Sequence, residues 1–314
     1  MIKVVLGEHS IKRVREFAAE LPSATHVVIE ADHSFALGPH ISDYRAGRIS
    51  KTRLKQFIVR DYIPDASLLL SHPMSLTHLE RSRANLNRSG YVAADFEAAM
   101  LKAIVEEQLR RKAQGRPLLN VLYEPPHSNP SREIEAAEAD HLFGIATDSY
   151  APFETLASAA RSYFLVKGKH LASRDGNLVS LFSKLDSPTA RVVSHIGALH
   201  GRVVTALRKQ GRTVEANRGS LPLTLIVRGL VKGAKGKPLS DVEAVKAALA
   251  LQVDQPSMRG EYGQFKEVHL QVSRFLAKKS EADVRAFWER VRQERLNVRQ
   301  ELVNWIGLAS VKSS

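Results

Sequence analysis

The chain has 314 residues, of which 44% are hydrophobic and 25% are charged, and these proportions are typical of a globular protein. It contains no cysteine, which excludes disulfide bonds, thiolate catalysis and cysteine-ligated zinc. No apolar run reaches the ~18 residues of a membrane span. The first apolar segment ends at the charged residue Glu8, so it is too short for the hydrophobic region of a signal peptide. We therefore expect a cytoplasmic protein, with an effector delivered by a dedicated machine as the open alternative.

The formal net charge of +13 attracts nucleic acid or anionic substrates. Basic residues are concentrated at 110–112, 232–237 and 285–299. These blocks lack the interleaved aromatic residues of a single-strand stacking platform, and no known nucleic-acid-reading module occurs. Solvated helix faces and a basic loop are the favoured explanation of these blocks, and nucleic acid is a candidate partner on charge alone.

Short apolar runs alternate with helical patterns over residues 1–215. This alternation predicts an α/β domain with a central, mostly parallel sheet flanked by helices. The predicted strands are 2–6, 25–30, 118–123 and 191–194. The predicted helices are 10–21, 95–112, 152–165, 177–185 and 200–209, and residues 31–90 are interpreted as helices and loops over the mouth of the sheet.

Residues 216–314 have a different character and predict a basic, helix-rich extension, either separate or part of the same domain. A strand is predicted at 223–227. Capping-box patterns at Ser240 and Ser280 predict the starts of two helices, the second of which continues through residue 306. An apolar stripe at helical spacing in 281–306 indicates core packing or, alternatively, a homodimer contact.

Ionisable side chains follow the first two predicted strands, at the edge where parallel sheets bind ligands. Glu8 and His9 follow the first strand, and a carboxylate beside an imidazole can orient it as a general base. Glu30 ends the second strand, where a buried carboxylate needs a partner or a function, and Asp32 follows. The alternative for each pair is that it caps the next helix.

A third group combines Arg174 and Asp175 with His195 and His200. The planar guanidinium of Arg174 can hold a carboxylate or stabilise an oxyanion. His200 is predicted at a strand–turn–helix junction, from which its ring can reach the same crevice. The alternative is a surface Arg174–Asp175 pair and two incidental histidines.

Four motifs in this order resemble those of the superfamily that unites erythromycin esterases, ChaN-like iron-regulated proteins and TraB/TIKI proteases. They are Leu6–Ser10, Val28–Asp32, Arg174–Asn177 and Gly197–His200, and the resemblance spans about residues 3–207. This chain departs from the family pattern in three places. His9 directly follows Glu8, Leu178 stands where the family commonly has Met, and Gly197 replaces the second histidine of the esterases.

The resemblance implies a hydrolase that cleaves an ester or amide bond of a small molecule or peptide with an activated water. His9 or His200 would take the proton, and Glu8 or Glu30 would orient the imidazole or share the role of base. Arg174 would bind the developing oxyanion or a carboxyl group of the substrate. Substrate binding would involve Asp32, Asp175 and His195. Catalysis would need no cofactor or a divalent Mn, Co or Zn ion, whose ligands would be Glu8, His9, Glu30 and His200. The competing hypothesis is a nucleic-acid-binding or interaction protein on a degenerate hydrolase scaffold.

Overall fold

The computed structural model describes residues 1–7, 11–30, 43, 47–50, 52–53, 93–124, 130–185, 187, 189–218, 224–252 and 262–307. The chain forms two compact units that interleave in sequence. We call residues 1–130 with 174–221 the sheet unit, and residues 131–173 with 222–314 the helical unit.

The sheet unit contains five strands, and every strand pair is parallel. The strands are β1 (Ile2–Gly7), β2 (His26–Ile29), β3 (Asn120–Tyr123), β4 (Val192–Gly197) and β5 (Val214–Arg218), in the spatial order β3-β2-β4-β1-β5. The predicted α/β fold with a mostly parallel sheet is confirmed. Strand β5 was not predicted, because it is short and contains only two apolar residues, Val214 and Ala216.

Helices cover both faces of this sheet, which is why its inner strands are almost continuously apolar. The helices are α1 (Ile11–Glu20), α2 (Ala93–Ala113), the end of α4 (Phe153–Lys184) and α5 (Gly201–Lys209). Val27 and Val193 pack with α1 and α2 through Phe17 and Ile104. The alternate strand positions, among them Val28, pack with α4 and α5 through Leu178 and Val204.

The prediction of two helices at 152–165 and 177–185 is wrong, because α4 is a single helix of 32 residues. Phe164, Leu171 and Leu178 are buried at a spacing of seven residues, so one side of the helix stays buried along its length. This burial outweighs the cost of about 1 kcal/mol for each interior glycine. As a consequence, Arg174 and Asp175 lie within a helix and not after a strand.

In its described residues, the helical unit contains the first part of α4 and six further helices. These are α3 (Pro130–Asp148), α6 (Leu225–Ala234), α7 (Asp241–Gln252), α8 (Tyr262–Lys278), α9 (Glu281–Gln293) and α10 (Val298–Ile306). Six of the seven residues from Ala244 to Ala250 are buried, so α7 is apolar around its circumference, as expected of a central helix. The predicted helix-rich carboxyl-terminal region is confirmed, whereas α3 and α8 were not predicted.

The strand predicted at 223–227 is wrong, because residues 225–234 form helix α6. The hydroxyl of Thr224 accepts a hydrogen bond from the N–H of Val227 at 3.3 Å and caps the helix. A Cβ atom at Gly233 would lie 2.0 Å from the carbonyl oxygen of Phe164. Close packing of α6 on α4 therefore requires glycine and overrides the local preference for a strand.

The helix predicted to run from residue 281 through 306 is divided into α9 and α10. The predicted capping box at Ser280 is confirmed, but Arg295 has a φ of 49° and Asn297 caps α10. The residues of the apolar stripe lie in the core of the helical unit, while the homodimer through 281–306 stays a prediction. Among the residues described, no helix is both long and apolar enough to cross a membrane.

Candidate active site

Three side chains meet at the carboxyl edge of the sheet. Glu30 directly follows β2, Glu124 directly follows β3, and His200 ends a 3-10 turn that follows β4. Ile29 is paired with Tyr123, and the N–H of Glu124 donates to the carbonyl oxygen of Ile29 at 2.8 Å. The parallel register therefore places the two glutamates side by side.

Both glutamates lie on the sheet face that α4 covers. Side chains alternate between the two faces of a strand, so Glu30 shares its face with Val28, and Glu124 shares its face with Leu122. Val28 and Leu122 both pack with Leu178 of α4. Arg174, one turn before Leu178, is thereby placed above the two strand ends.

Arg174 joins the two glutamates through its guanidinium group. Its Nε and Nη2 atoms donate to Oε1 and Oε2 of Glu124 at 3.1 and 2.8 Å. Its Nη2 also donates to Oε1 of Glu30 at 3.0 Å. The pair with Glu124 is bidentate, the strongest geometry for an arginine and a carboxylate. All three side chains are at least nine-tenths buried, so water screens this ion pair little.

His200 extends the network to a third carboxylate. Its Nε2 lies 2.9 Å from Oε1 of Glu30, and its Nδ1 lies 2.7 Å from Oδ1 of Asp175. Glu30 receives a further short hydrogen bond at Oε2 from the N–H of Gly197. The imidazole is therefore held between two carboxylates, and both ring nitrogens can donate only if it is protonated.

The pKa values of Glu30 and His200 are shifted so that both groups are charged. Burial alone would raise the pKa of Glu30, but the positive charges of His200 and Arg174 and the N–H of Gly197 outweigh it and hold that pKa well below its usual range. For His200, burial acts to lower the pKa, and the contacts with Glu30 and Asp175 overcome burial and raise it to about 9. At neutral pH the pair is an imidazolium and a carboxylate.

Glu124 is shifted in the opposite direction. Burial raises the pKa of this carboxyl group above its usual range, and the negative charge of Glu30 adds to the increase. The bidentate contact with Arg174 acts against these effects without cancelling them. The site thus combines one glutamate that stays ionised with another that takes up a proton more readily than usual.

Of the predicted site residues, the structure brings together Glu30, Arg174, Asp175 and His200. His195 lies on β4, one position before Ile196, so its side chain is on the opposite face of the sheet, the face of Val193. Glu8, His9 and Asp32 lie outside the described residues, and so does the predicted cover of the sheet mouth at residues 31–90 except for 43, 47–50 and 52–53.

Glu124 is the residue that sequence reasoning missed. The signal was present, because Glu124 follows the predicted strand 118–123 and precedes Pro125-Pro126, in the same position relative to its strand as Glu30. The rule that singled out Glu30, a carboxylate at the end of an apolar strand, applies to Glu124 without change.

The described part of the predicted metal ligand set does not suit a metal ion. A histidine ligand must be neutral with a free nitrogen lone pair, whereas His200 faces a carboxylate oxygen at each nitrogen and its pKa is raised to about 9. Within the described residues, no group of three or more His, Asp or Glu side chains has the arrangement of a metal centre.

Comparison of this chain with protein-family models, with curated proteins and with solved structures gives no match. The resemblance to the esterase superfamily therefore stays a prediction from the four motifs.

Proposed function

We propose that this protein is a hydrolase that cleaves an ester or amide bond with an activated water molecule, using Glu30, Glu124, Arg174 and His200 as its acid–base centre. One observation carries the proposal. Arg174 holds two neighbouring carboxylates whose pKa values are shifted apart. Paired carboxyl groups with divergent pKa values are a recurring arrangement for acid–base catalysis.

Glu124 is the proton carrier in this proposal. A general base works best when its pKa lies close to the working pH, and the raised pKa of Glu124 moves it in that direction. The ionised carboxylate takes a proton from water while the water oxygen attacks the carbonyl carbon. The resulting carboxyl group then donates that proton to the departing alcohol or amine, which restores the carboxylate.

Arg174, Glu30 and His200 act as positioning residues. The hydrogen bonds of Arg174 to two carboxylates favour this role over binding of a substrate oxyanion. His200 cannot serve as the base while it is protonated, and its contacts fix Glu30, which in turn orients the guanidinium. The role of proton acceptor that the sequence assigned to His9 or His200 passes in this proposal to Glu124.

The test is a panel of ester, lactone and peptide substrates, assayed with wild type and Glu30→Ala, each with EDTA and with added Mn²⁺. We expect the wild type to turn over at least one substrate class in EDTA, and the variant to lose most of that activity. Comparable turnover by both proteins would refute the assignment of the site. Activity that appears only with Mn²⁺ would overturn the metal-free chemistry.

The competing prediction, nucleic-acid binding by a degenerate scaffold, rests on the net charge of +13. Phosphate contacts release counterions, so such binding must weaken steeply with salt. Nucleic-acid binding would be favoured over hydrolysis by two results together. The protein would turn over no substrate of the panel, and its binding to DNA or RNA would weaken by orders of magnitude between low and physiological salt.

A further inference from the structure

A pocket lies in the helical unit, between α6 and α8. Its volume is about 260 Å³, and it is lined by Leu225, Arg228, Leu270, Ser273, Arg274 and Ala277. The residues from α8 follow the helical spacing of one face, and the two from α6 are three positions apart. The pocket shares no residue with the candidate active site.

Two arginines of this pocket have no anionic partner among the described residues. Arg228 and Arg274 are exposed, and neither forms an ion pair or a side-chain hydrogen bond with any residue that the structure describes. Some other arginines of the same unit are paired. Arg161 contacts Asp241 at 2.7 Å, and Arg290 contacts Glu301 at 2.9 Å. The lining contains no acidic side chain, so none of the described carboxylates compensates the charge of the pocket.

Ser273 adds a neutral donor between these charges. It is 6% exposed, and its Oγ accepts the backbone N–H of Leu225 at 3.2 Å. Since a hydroxyl group can accept and donate at the same time, Ser273 can still donate a hydrogen bond. Two arginines and a serine therefore line a space whose other walls are the apolar side chains of Leu225, Leu270 and Ala277.

We propose that this pocket binds a phosphate group. Guanidinium groups present planar pairs of N–H donors that match the oxygens of phosphate. A phosphate monoester carries a charge of about −1.5 to −2 at pH 7, which balances two arginines, whereas a carboxylate balances only one. The ligand is a small molecule that carries such a group, or the free phosphate ion. This assignment is independent of the proposed hydrolase activity.

The test is isothermal titration calorimetry of the full chain at low ionic strength. The ligands are inorganic phosphate, glycerol phosphate and acetate, each titrated into wild type and into the Arg228→Gln/Arg274→Gln double variant. We expect saturable binding of phosphate to the wild type, weaker binding of acetate, and a loss of affinity of roughly tenfold or more in the double variant. If glycerol phosphate binds as tightly as inorganic phosphate, the ligand is a phosphate ester. If glycerol phosphate does not bind, the ligand is the free phosphate ion.

The matched control is Arg15→Gln/Arg191→Gln, which removes two exposed positive charges from the sheet unit. We expect this variant to bind phosphate within about twofold of the wild type, because the pocket is unchanged and only long-range, salt-screened attraction is lost. An equal loss of affinity in both double variants would show that only net charge matters. That outcome would overturn the proposal, as would an absence of saturable phosphate binding by the wild type.

Discussion

Two buried arginine–glutamate pairs in the sheet unit use the same chemistry with opposite consequences. On α2, Nε of Arg111 lies 2.7 Å from Oε1 of Glu107, and both side chains are at least nine-tenths buried. At the carboxyl edge of the sheet, Arg174 makes the bidentate contact with Glu124. In the first pair the pKa of the glutamate is lowered, whereas in the second it is raised.

The difference lies in how each arginine divides its donors. Glu107 is contacted by two arginines, Arg110 and Arg111, which together overcome the effect of burial. Arg111 uses its remaining donors to bind backbone carbonyls, including that of Ala24 at 2.7 Å. Arg174 is shared between Glu124 and Glu30, so Glu124 receives less compensation and also feels a like charge. Glu107, whose charge is fully compensated, stabilises the fold. Glu124, whose charge is only partly compensated, can exchange a proton.

The largest expected difference between the two pairs is catalytic. Glu124→Gln should reduce kcat/KM by about 10²–10⁴-fold, the usual contribution of a positioned acid–base group. Glu107→Gln removes the same charge from an equally buried pair and should leave kcat/KM within about twofold, because Glu107 has no role in proton transfer. Steady-state kinetics on the best substrate of the panel measures both values. Equal losses would mean that only stability was affected.

Replacement of either arginine should destabilise the protein, and the pH dependence of this destabilisation should differ between the two pairs. Arg111→Met and Arg174→Met should each lower the free energy of unfolding at pH 7 by about 3–5 kcal/mol. Arg174→Met leaves the buried carboxylate of Glu124 without a cation, whereas Arg111→Met leaves several backbone carbonyl groups without their donor. At pH 4 the loss for Arg174→Met should shrink, since Glu124 can take up a proton. The loss for Arg111→Met should persist, since backbone carbonyls cannot be neutralised. Urea denaturation at the two pH values measures these losses, and parallel behaviour would contradict the distinction.

The charge of His200 should appear as a loss of stability at alkaline pH. Its pKa is raised from the ordinary 6.5 to about 9 on folding, so its contribution is complete below pH 6.5 and disappears as the pH rises through about 9. The free energy of unfolding should fall by roughly 2–3 kcal/mol across this range. In His200→Gln the decline should be absent, while Glu107→Gln should retain it. A decline of equal size in His200→Gln would assign it to other groups.

The smallest effect is expected at Leu178, which is fully buried one turn after Arg174. Leu178→Met conserves volume and should cost less than about 1.5 kcal/mol, with no change in activity. Leu178→Ala should cost about 2–5 kcal/mol through the cavity that it leaves. Thermal denaturation distinguishes the two. A large activity loss in Leu178→Met would show that the placement of Arg174 depends on the exact shape of this residue.

The elements that sequence reasoning predicted correctly are those with a strong local signal. Strands β1 to β4 are apolar on both faces, and the helices that begin after Ser240 and Ser280 have side-chain caps. The wrong predictions lie where contacts with residues distant in sequence determine the secondary structure. Residues 225–227 read as a strand, but they form the first turn of helix α6, which packs closely against Phe164 at Gly233. The polar strand β5 forms only because β1 provides a parallel partner.

The candidate site shows the same division. Glu30, Arg174, Asp175 and His200 could be singled out from residue type and motif order, and they do meet in one network. The two separate helices predicted at 152–165 and 177–185 were wrong, because the burial of Leu171 and Leu178 extends one helix through Arg174. The protonated state of His200 could not be predicted, since it depends on Asp175 and Glu30 approaching from two different elements.

The most direct test of the acid–base centre is a carboxyl ¹³C NMR titration of the protein labelled at glutamate, with signals assigned through Glu124→Gln and Glu107→Gln. The account predicts that Glu124 titrates above the usual glutamate value of 4.5 and Glu107 below it. This result would establish that two buried arginine–glutamate pairs in one protein are set for different tasks. If both glutamates titrate below the usual value, Glu124 is a structural carboxylate, and the proposed chemistry of the site is contradicted.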